Sequence, residues 1–220
     1  MVIVDLSMAI QDHWRWRVQT ELALDHKRGD SWQSTNLALS VHAFTHIDTP
    51  LHLDPDGETI EEAPLEKLCG PAAVLDLSYV SAHQAIGKDD LRKAGGHIVA
   101  GDIVILKTDW DQKRNWKSKE FWMEAPYVEE EAASWLANQE IKAVGFDFPQ
   151  DHALREIPSR HPPSEELPTH NLILRKGIYL LEYLSNLCQV RTKRVKVFAF
   201  PLKLQGAEAA PARVAALIEG

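Results

Sequence analysis

Cysteine is scarce in this chain, with only Cys69 and Cys188 among 220 residues. That excludes a disulfide-stapled scaffold. The lack of any Cys-x-x-Cys pair also excludes thioredoxin-like redox motifs and the common cysteine-built zinc sites. Both thiols read as reduced packing residues. Long apolar runs are missing as well. No stretch approaches the ~20 residues that span a bilayer, and Met1-Val2-Ile3-Val4-Asp5 lacks the basic start and apolar core of a signal peptide. A cytoplasmic location without a membrane partner is expected. Basic charge is in deficit too, with 24 Lys and Arg against 32 Asp and Glu and a net charge of −8. The cations are scattered among the carboxylates, so no phosphate-binding face is built and nucleic acid is not an expected partner. Finally, no Pro/Gly/Ser-rich linker, charge run or repeat divides the chain. Residues 1–220 are therefore read as a single well-buried domain.

What the chain has instead is concentrated metal-ligand chemistry. The run His42-Ala43-Phe44-Thr45-His46-Ile47-Asp48-Thr49-Pro50-Leu51-His52 holds three histidines and an aspartate. Imidazoles and a carboxylate suit Zn²⁺ or Mn²⁺, and a carboxylate can bridge two ions. The four side chains share a parity. Yet an extended chain advances about 3.3 Å per residue, which would put His42 and Asp48 roughly 20 Å apart, too far to share an ion bound at ~2 Å. The chain must bend inside the motif. Thr35 to Val41 is read as a strand feeding a tight turn, and Pro50 stops the stretch after it from continuing as an interior strand. A helix pairing His42 with His46 is disfavoured by Thr45, Ile47, Thr49 and Pro50, and by the absence of a Glu beside His42.

Short apolar or β-branched runs predict strands at Val2–Leu6, Val18–Leu24, Asn36–Val41, Ala72–Leu77, Ile103–Lys107, Ala143–Phe146, Ile178–Leu181 and Val195–Phe200. Several are apolar throughout, which implies burial on both faces. Helices are predicted at Lys88–Ala94 after Gly87, at Ser118–Met123, at Val128–Asn138, and at Thr169–Lys176, which Gly177 stops. Interleaved strands and helices mean an α/β domain. Pro149 to Pro168, rich in proline and charge, reads as a long loop of the kind that often carries function.

More ligands can come from elsewhere. Glu182 closes the apolar run Ile178-Tyr179-Leu180-Leu181; it either emerges into solvent or needs a cation or partner, because burying it alone costs several kcal/mol. His170 stands in the helix before Gly177. Trp14 and Trp16 would share a face if their stretch were a strand. There they could stack on a flat substrate whose carboxylate pairs with Arg15 or Arg17. Core packing or a subunit interface is the commoner role for such indoles. Asp151 and His152 are weaker pocket candidates in the long loop.

The early motif resembles the His-x-Gly-Thr-His-x-Asp-x-Pro-x-His signature of the metal-dependent cyclase family, which includes bacterial kynurenine formamidases and isatin hydrolases. Asp5-Leu6-Ser7, Gly101-Asp102-Ile103-Val104, Gly145-Phe146-Asp147-Phe148-Pro149, His170-Asn171-Leu172, Leu181-Glu182 and Pro201-Leu202-Lys203-Leu204 resemble its later blocks in order. The resemblance implies a swivelling β/β/α fold with a mixed sheet, commonly dimeric. It also implies that His42, His46 and Asp48 hold one divalent ion, and that Asp48, His170 and Glu182 hold a second. Zn²⁺ is the expected metal with Mn²⁺ as the alternative, and one ion alone is a known variant. His52 matches the family's proton donor and acceptor. The implied activity is hydrolysis of a C–N bond in a small aryl formamide or cyclic amide. Ring closure, ester or lactone hydrolysis, and a non-catalytic binding role are the alternatives. Two departures stand out. Phe44 replaces the usual Gly, so the turn is expected to be altered, with Phe44 as pocket wall. His13-Trp14-Arg15-Trp16-Arg17 replaces a Trp-Pro-Gly-Asp stretch, which bears on the substrate.

Overall fold

A computed structural model describes residues 1–157 and 159–219. Its strands are β1 (Val2–Asp5), β2 (Gln19–Leu24), β3 (Ser34–Ala38), β4 (His46–Asp48), β5 (Cys69–Asp76), β6 (Ala85–Ile86), β7 (Ile103–Lys107), β8 (Tyr127–Val128), β9 (Ala143–Phe146), β10 (Tyr179–Glu182), β11 (Arg194–Pro201) and β12 (Ala209–Ile218). The helices are α1 (Leu65–Leu68), α2 (Lys88–Ala94), α3 (Trp110–Lys113), α4 (Lys119–Met123), α5 (Glu130–Leu136) and α6 (Pro168–Ile173).

Eight strands form one mixed sheet in the order β1-β12-β11-β5-β7-β9-β10-β4, and β12 also pairs with β4. The second pairing closes the sheet into a barrel, with β1 attached outside the ring. The run β5-β7-β9-β10 is parallel and the remaining pairs are antiparallel. This is the α/β mixed-sheet architecture expected from the interleaved pattern.

Alternate residues explain why the central strands are apolar throughout. Ala72, Val74, Ile103, Ile105, Leu181 and Val197 pack inside the barrel, whereas Ala73, Leu75, Val104, Leu106, Phe146 and Leu180 face the helices and their indoles. Each such Val, Leu or Ile taken out of water contributes about 1.5–3 kcal/mol, so the wall is held from both sides. Gly145 sits where a Cβ would meet Ile105 Cδ1 at 2.6 Å and Leu184 Cδ1 at 2.8 Å. A larger residue at that crossing would have to push both side-chain ends aside.

Several predicted elements need correction. The strand expected over Thr35–Val41 ends at Ala38 and belongs to a separate two-stranded hairpin with β2, not to the barrel. Residues 11–18 are bends and irregular chain, so Trp14 and Trp16 do not share a strand face. The long loop after Pro149 contains short 3₁₀ turns at His152–Glu156 and Ser164–Glu166; Pro158 within it lies outside the described residues. The helix expected over Thr169–Lys176 is α6 followed by a 3₁₀ turn, Leu174–Lys176, ended by Gly177 at φ 71°. Both cysteines are half-buried and unpaired. Among the described residues no helix is long and apolar enough to cross a membrane.

Candidate metal centre

The motif from His42 to His52 bends twice. Residues 42–45 turn, His46–Asp48 form β4, and Pro50–His52 make a 3₁₀ turn. Gly57 lets the following turn close on this piece: a Cβ there would lie 2.5 Å from Leu51 N. On β4, Ile47 points into the barrel core, so His46 and Asp48 face the opposite side. In the antiparallel pairing Glu182 lies opposite His46 and Leu180 opposite Asp48. The alternation that buries Leu181 beside Ile47 therefore presents Glu182 on the same face as the two β4 ligand candidates. α6 adds His170 above them.

The five side chains converge. His42 Nδ1 is 3.0 Å from Asp48 Oδ1, and His46 Nε2 is 3.2 Å from Asp48 Oδ1 and 3.5 Å from Glu182 Oε2. His170 Nε2 is 3.0 Å from Glu182 Oε1 and 3.7 Å from Asp48 Oδ2. His52 joins them, with its ring centroid 4.3 Å from that of His42 and 5.6 Å from that of His170. One ligand atom each from His42, Asp48 and His52, and from His46, Asp48 and Glu182, falls within 4.8 Å, and the two triplets share Asp48.

Hydrogen bonding shows what this cluster lacks. His46 Nδ1 lies 2.8 Å from the Phe44 carbonyl, which can only accept, so Nδ1 carries the proton and Nε2 offers a lone pair. His170 Nδ1 is 2.6 Å from Asp151 Oδ2, and His42 Nε2 is 3.0 Å from Glu208 Oε1. Each imidazole thus spends one nitrogen on an outer acceptor and turns the other toward Asp48 and Glu182. His46 Nε2 and both oxygens of Asp48 are buried without any hydrogen-bond partner. Acceptors facing acceptors at 0% exposure are costly unless a cation sits between them. Outer carboxylates and carbonyls that fix imidazole tautomers are also the usual supports of metal-binding histidines. The residues present therefore fit a divalent ion.

Without a metal ion, protons on the imidazoles supply the missing positive charge. Burial opposes charge on His42, yet Asp48, with Glu182 and Glu208, lifts that imidazole to about 9. Burial likewise opposes charge on His170, but Glu182 and Asp151 hold it well above its ordinary value. Burial raises Asp48, and the neighbouring His42 and His46 override it to hold the carboxyl well below the usual range. Burial lowers His52 against the pull of Asp48, which favours the neutral imidazole.

An aromatic wall borders the cluster. Phe44 is buried and keeps φ at 60°. The turn is therefore not rebuilt around the missing glycine, contrary to expectation, and it carries a strain on the order of 1–2 kcal/mol. Trp16 packs 4.7 Å from Phe44 and 5.7 Å from Tyr183, whose ring is 5.4 Å from His46. Tyr183 also holds a positive φ, 56°. Thr45 ties the two strained residues together, donating to the Tyr183 carbonyl at 2.7 Å. Trp14 lies further out, 39% exposed, with its ring against His13 and Lys119. His152 is exposed and packs on Tyr127, away from the cluster.

Three contributors escape sequence reasoning. Glu208 enters from the residue just before β12, a strand the local sequence does not predict. Gln150 donates to Glu182, and Tyr183 stands beside a candidate ligand with nothing local to mark it. Asp151, a weak candidate by sequence, binds Thr169 N and Oγ1 as well as His170, fastening the long loop to α6.

A closed mixed barrel with a cation-seeking histidine–carboxylate set on its wall defines a metal-site α/β protein. The family described as "Putative cyclase" matches residues 4–151, and the chain belongs to that family. It is 28% identical over 193 residues to a protein named kynurenine formamidase from Bacillus cereus, covering 88% of this chain and 84% of that one. It is 30% identical over 179 residues to the protein of the same name from Geobacillus thermodenitrificans, covering 81% and 77%. Among solved structures, isatin hydrolase A from Labrenzia aggregata shares the fold, with a TM-score of 0.80 at 24% identity over 99% of this chain and 94% of that one. A structure described as a potential metal-dependent hydrolase with cyclase activity aligns with a TM-score of 0.72 at 30% identity over 98% and 96%.

Proposed function

We propose that this protein is a metal-dependent hydrolase that cleaves the C–N bond of a small aryl formamide or cyclic amide. The observation that carries the reading is the orphaned set at Asp48 and His46, with the other nitrogen of each imidazole already committed. The relatives named kynurenine formamidase supply the substrate class. His42, His46, Asp48, His170 and Glu182 hold the metal, and Asp48, shared by both triplets, is suited to bridge two ions. Imidazole and carboxylate donors favour Zn²⁺, with Mn²⁺ as the alternative. When bound, such an ion polarises a carbonyl and acidifies water.

The chain's own groups do the rest. His52, neutral and half-buried, would accept a proton from the attacking water and pass it to the departing nitrogen. Trp16 and Phe44 flank the site and exclude water, and Trp14 guards the outer edge. Because His52 also lies within ligand distance of His42 and Asp48, a second reading makes it a ligand. Metal analysis of the His52→Ala protein separates the two. Retained metal with lost turnover assigns proton transfer, and joint loss assigns coordination. Hydrolysis of N-formylkynurenine, isatin and a simple aryl ester, run side by side, tests the reaction; inactivity toward all three with metal bound overturns it.

A homodimer is the assembly favoured by the hairpin of β2 and β3. A two-stranded ribbon is marginal by itself, and this one exposes Leu22 and Leu37, with Trp32 65% exposed at its tip. A second copy covering it would appear as a doubled mass in sedimentation. The two unpaired cysteines suit a cytoplasmic location.

A further inference from the structure

Arg15 is a cationic side chain without an anion. Its Nη1 is buried and has no hydrogen-bond partner, Nη2 donates to the Leu154 carbonyl at 2.9 Å, and the guanidinium lies 4.6 Å from the Trp122 ring. Among the described residues no carboxylate pairs with it. An ionised donor out of water without an acceptor is unfavourable, and the planar fork of arginine matches a carboxylate.

The surroundings say where such an acceptor would enter. A cavity of about 420 Å³ is lined by Arg15, Trp16 and Arg17 on one side and Ala38, Leu39 and Ser40 on the other. Ser40 Oγ accepts from His42 N at 3.3 Å, so the cavity abuts the start of the ligand motif. From Trp16 the wall passes through Tyr183 to His46, with ring separations of 5.7 and 5.4 Å. The pocket therefore lies against the same aromatic wall that borders the metal candidates.

Building on the hydrolase reading above, we infer that Arg15 is a specificity residue that receives the carboxylate of an aromatic substrate. Arg17, exposed at the rim, draws the anion inward. The preferred substrate is thus an anionic aryl amide, such as one with an acid on or near the ring, in preference to its neutral counterpart.

The test uses metal-free full-length protein, so that no carboxylate can bind through an ion. Anthranilate and its uncharged analogue anthranilamide are titrated while tryptophan emission is followed, since Trp16 and Trp122 adjoin Arg15. The expected result is at least about tenfold tighter binding of anthranilate, with the difference lost in Arg15→Gln and retained in Arg17→Gln. Equal binding of the two probes by the wild type, or binding of neither at millimolar concentration, overturns the proposal. So does discrimination that survives Arg15→Gln. If Arg15→Gln does not fold, Arg17→Gln decides the location: retained discrimination supports Arg15, and its loss assigns the anion to the rim. Hydrolysis of neutral formanilide by metal-loaded wild type reads the proposed reaction separately. Its absence counts against that reaction and leaves the binding comparison to stand or fall independently.

Discussion

Asp48 and Asp147 are both fully buried aspartates on the same barrel, yet their surroundings are opposite. Asp147, in the turn after β9, accepts from Thr108 N and Oγ1 at 3.0 and 2.6 Å and from Asp109 N at 2.7 Å. Every donor is supplied by the chain, and the carboxylate stitches the end of β7 to the end of β9. Asp48 receives no backbone or hydroxyl donor on either oxygen and is surrounded by imidazole nitrogens. A carboxylate provided with donors is architecture; one placed among other acceptors asks for something the chain does not contain.

Substitutions can break or sharpen this contrast. Asp48→Asn has the largest expected effect, a loss of metal and at least about 10³-fold of activity, since the ion's chemistry goes with it. Its metal-free fold should melt lower than metal-free wild type at neutral pH, because the amide carries no charge to pair with the His42 imidazolium. Calorimetry with and without chelator, beside elemental analysis, checks both halves. His52→Ala comes next, with turnover lowered about 10²–10⁴-fold and metal content intact if it is the proton-transfer group. Asp151→Asn removes the support of His170 and should weaken metal affinity about 10–100-fold, measured by competition with a chelator. Asp147→Asn is the smallest in function. At pH 8 it should cost about 1–3 kcal/mol of stability and leave metal binding unchanged, because a donor now faces donors.

Asp147 also gives a pH signature. Burial pushes its carboxyl up to about 7 despite the donors around it, above the ordinary value of about 3.9. The folded chain therefore holds a proton that the unfolded chain has already released. Stability should fall as pH rises from about 4 to 7, and Asp147→Asn should abolish that component. Denaturant titrations of both proteins across this range make the comparison.

Much of the centre was legible because its residues announce themselves locally. Three histidines and Asp48 crowd one short run, and Glu182 closes an apolar strand. β7 and β9 matched their predicted bounds, since five or four consecutive apolar-rich residues buried on both faces leave little choice. α2 matched because Gly87 breaks the chain and Asp90 caps its amide. The hardest element was β12. Its sequence, Ala-Ala-Pro-Ala-Arg-Val-Ala-Ala-Leu-Ile, is rich in alanine and carries a proline, a poor strand former by local preference. Pairing with β1, β11 and β4 overrides that preference. Missing it hid Glu208, 166 residues from the histidine it holds. The bend within the motif is dictated by reach alone, but β4 inside it, and the positive φ kept by Phe44, come from partners remote in sequence.

The double pairing of β12 has a temporal consequence. β4 lies between β10 and β12, and its outer hydrogen bonds are made only to residues 209–211. A nascent chain still lacking that stretch has its histidines and Asp48 already synthesised but no finished wall to hold them. Assembly of the cage is thereby deferred until residues 209–211 have been made, so that a chain still lacking them offers the surrounding metal pool no preassembled site.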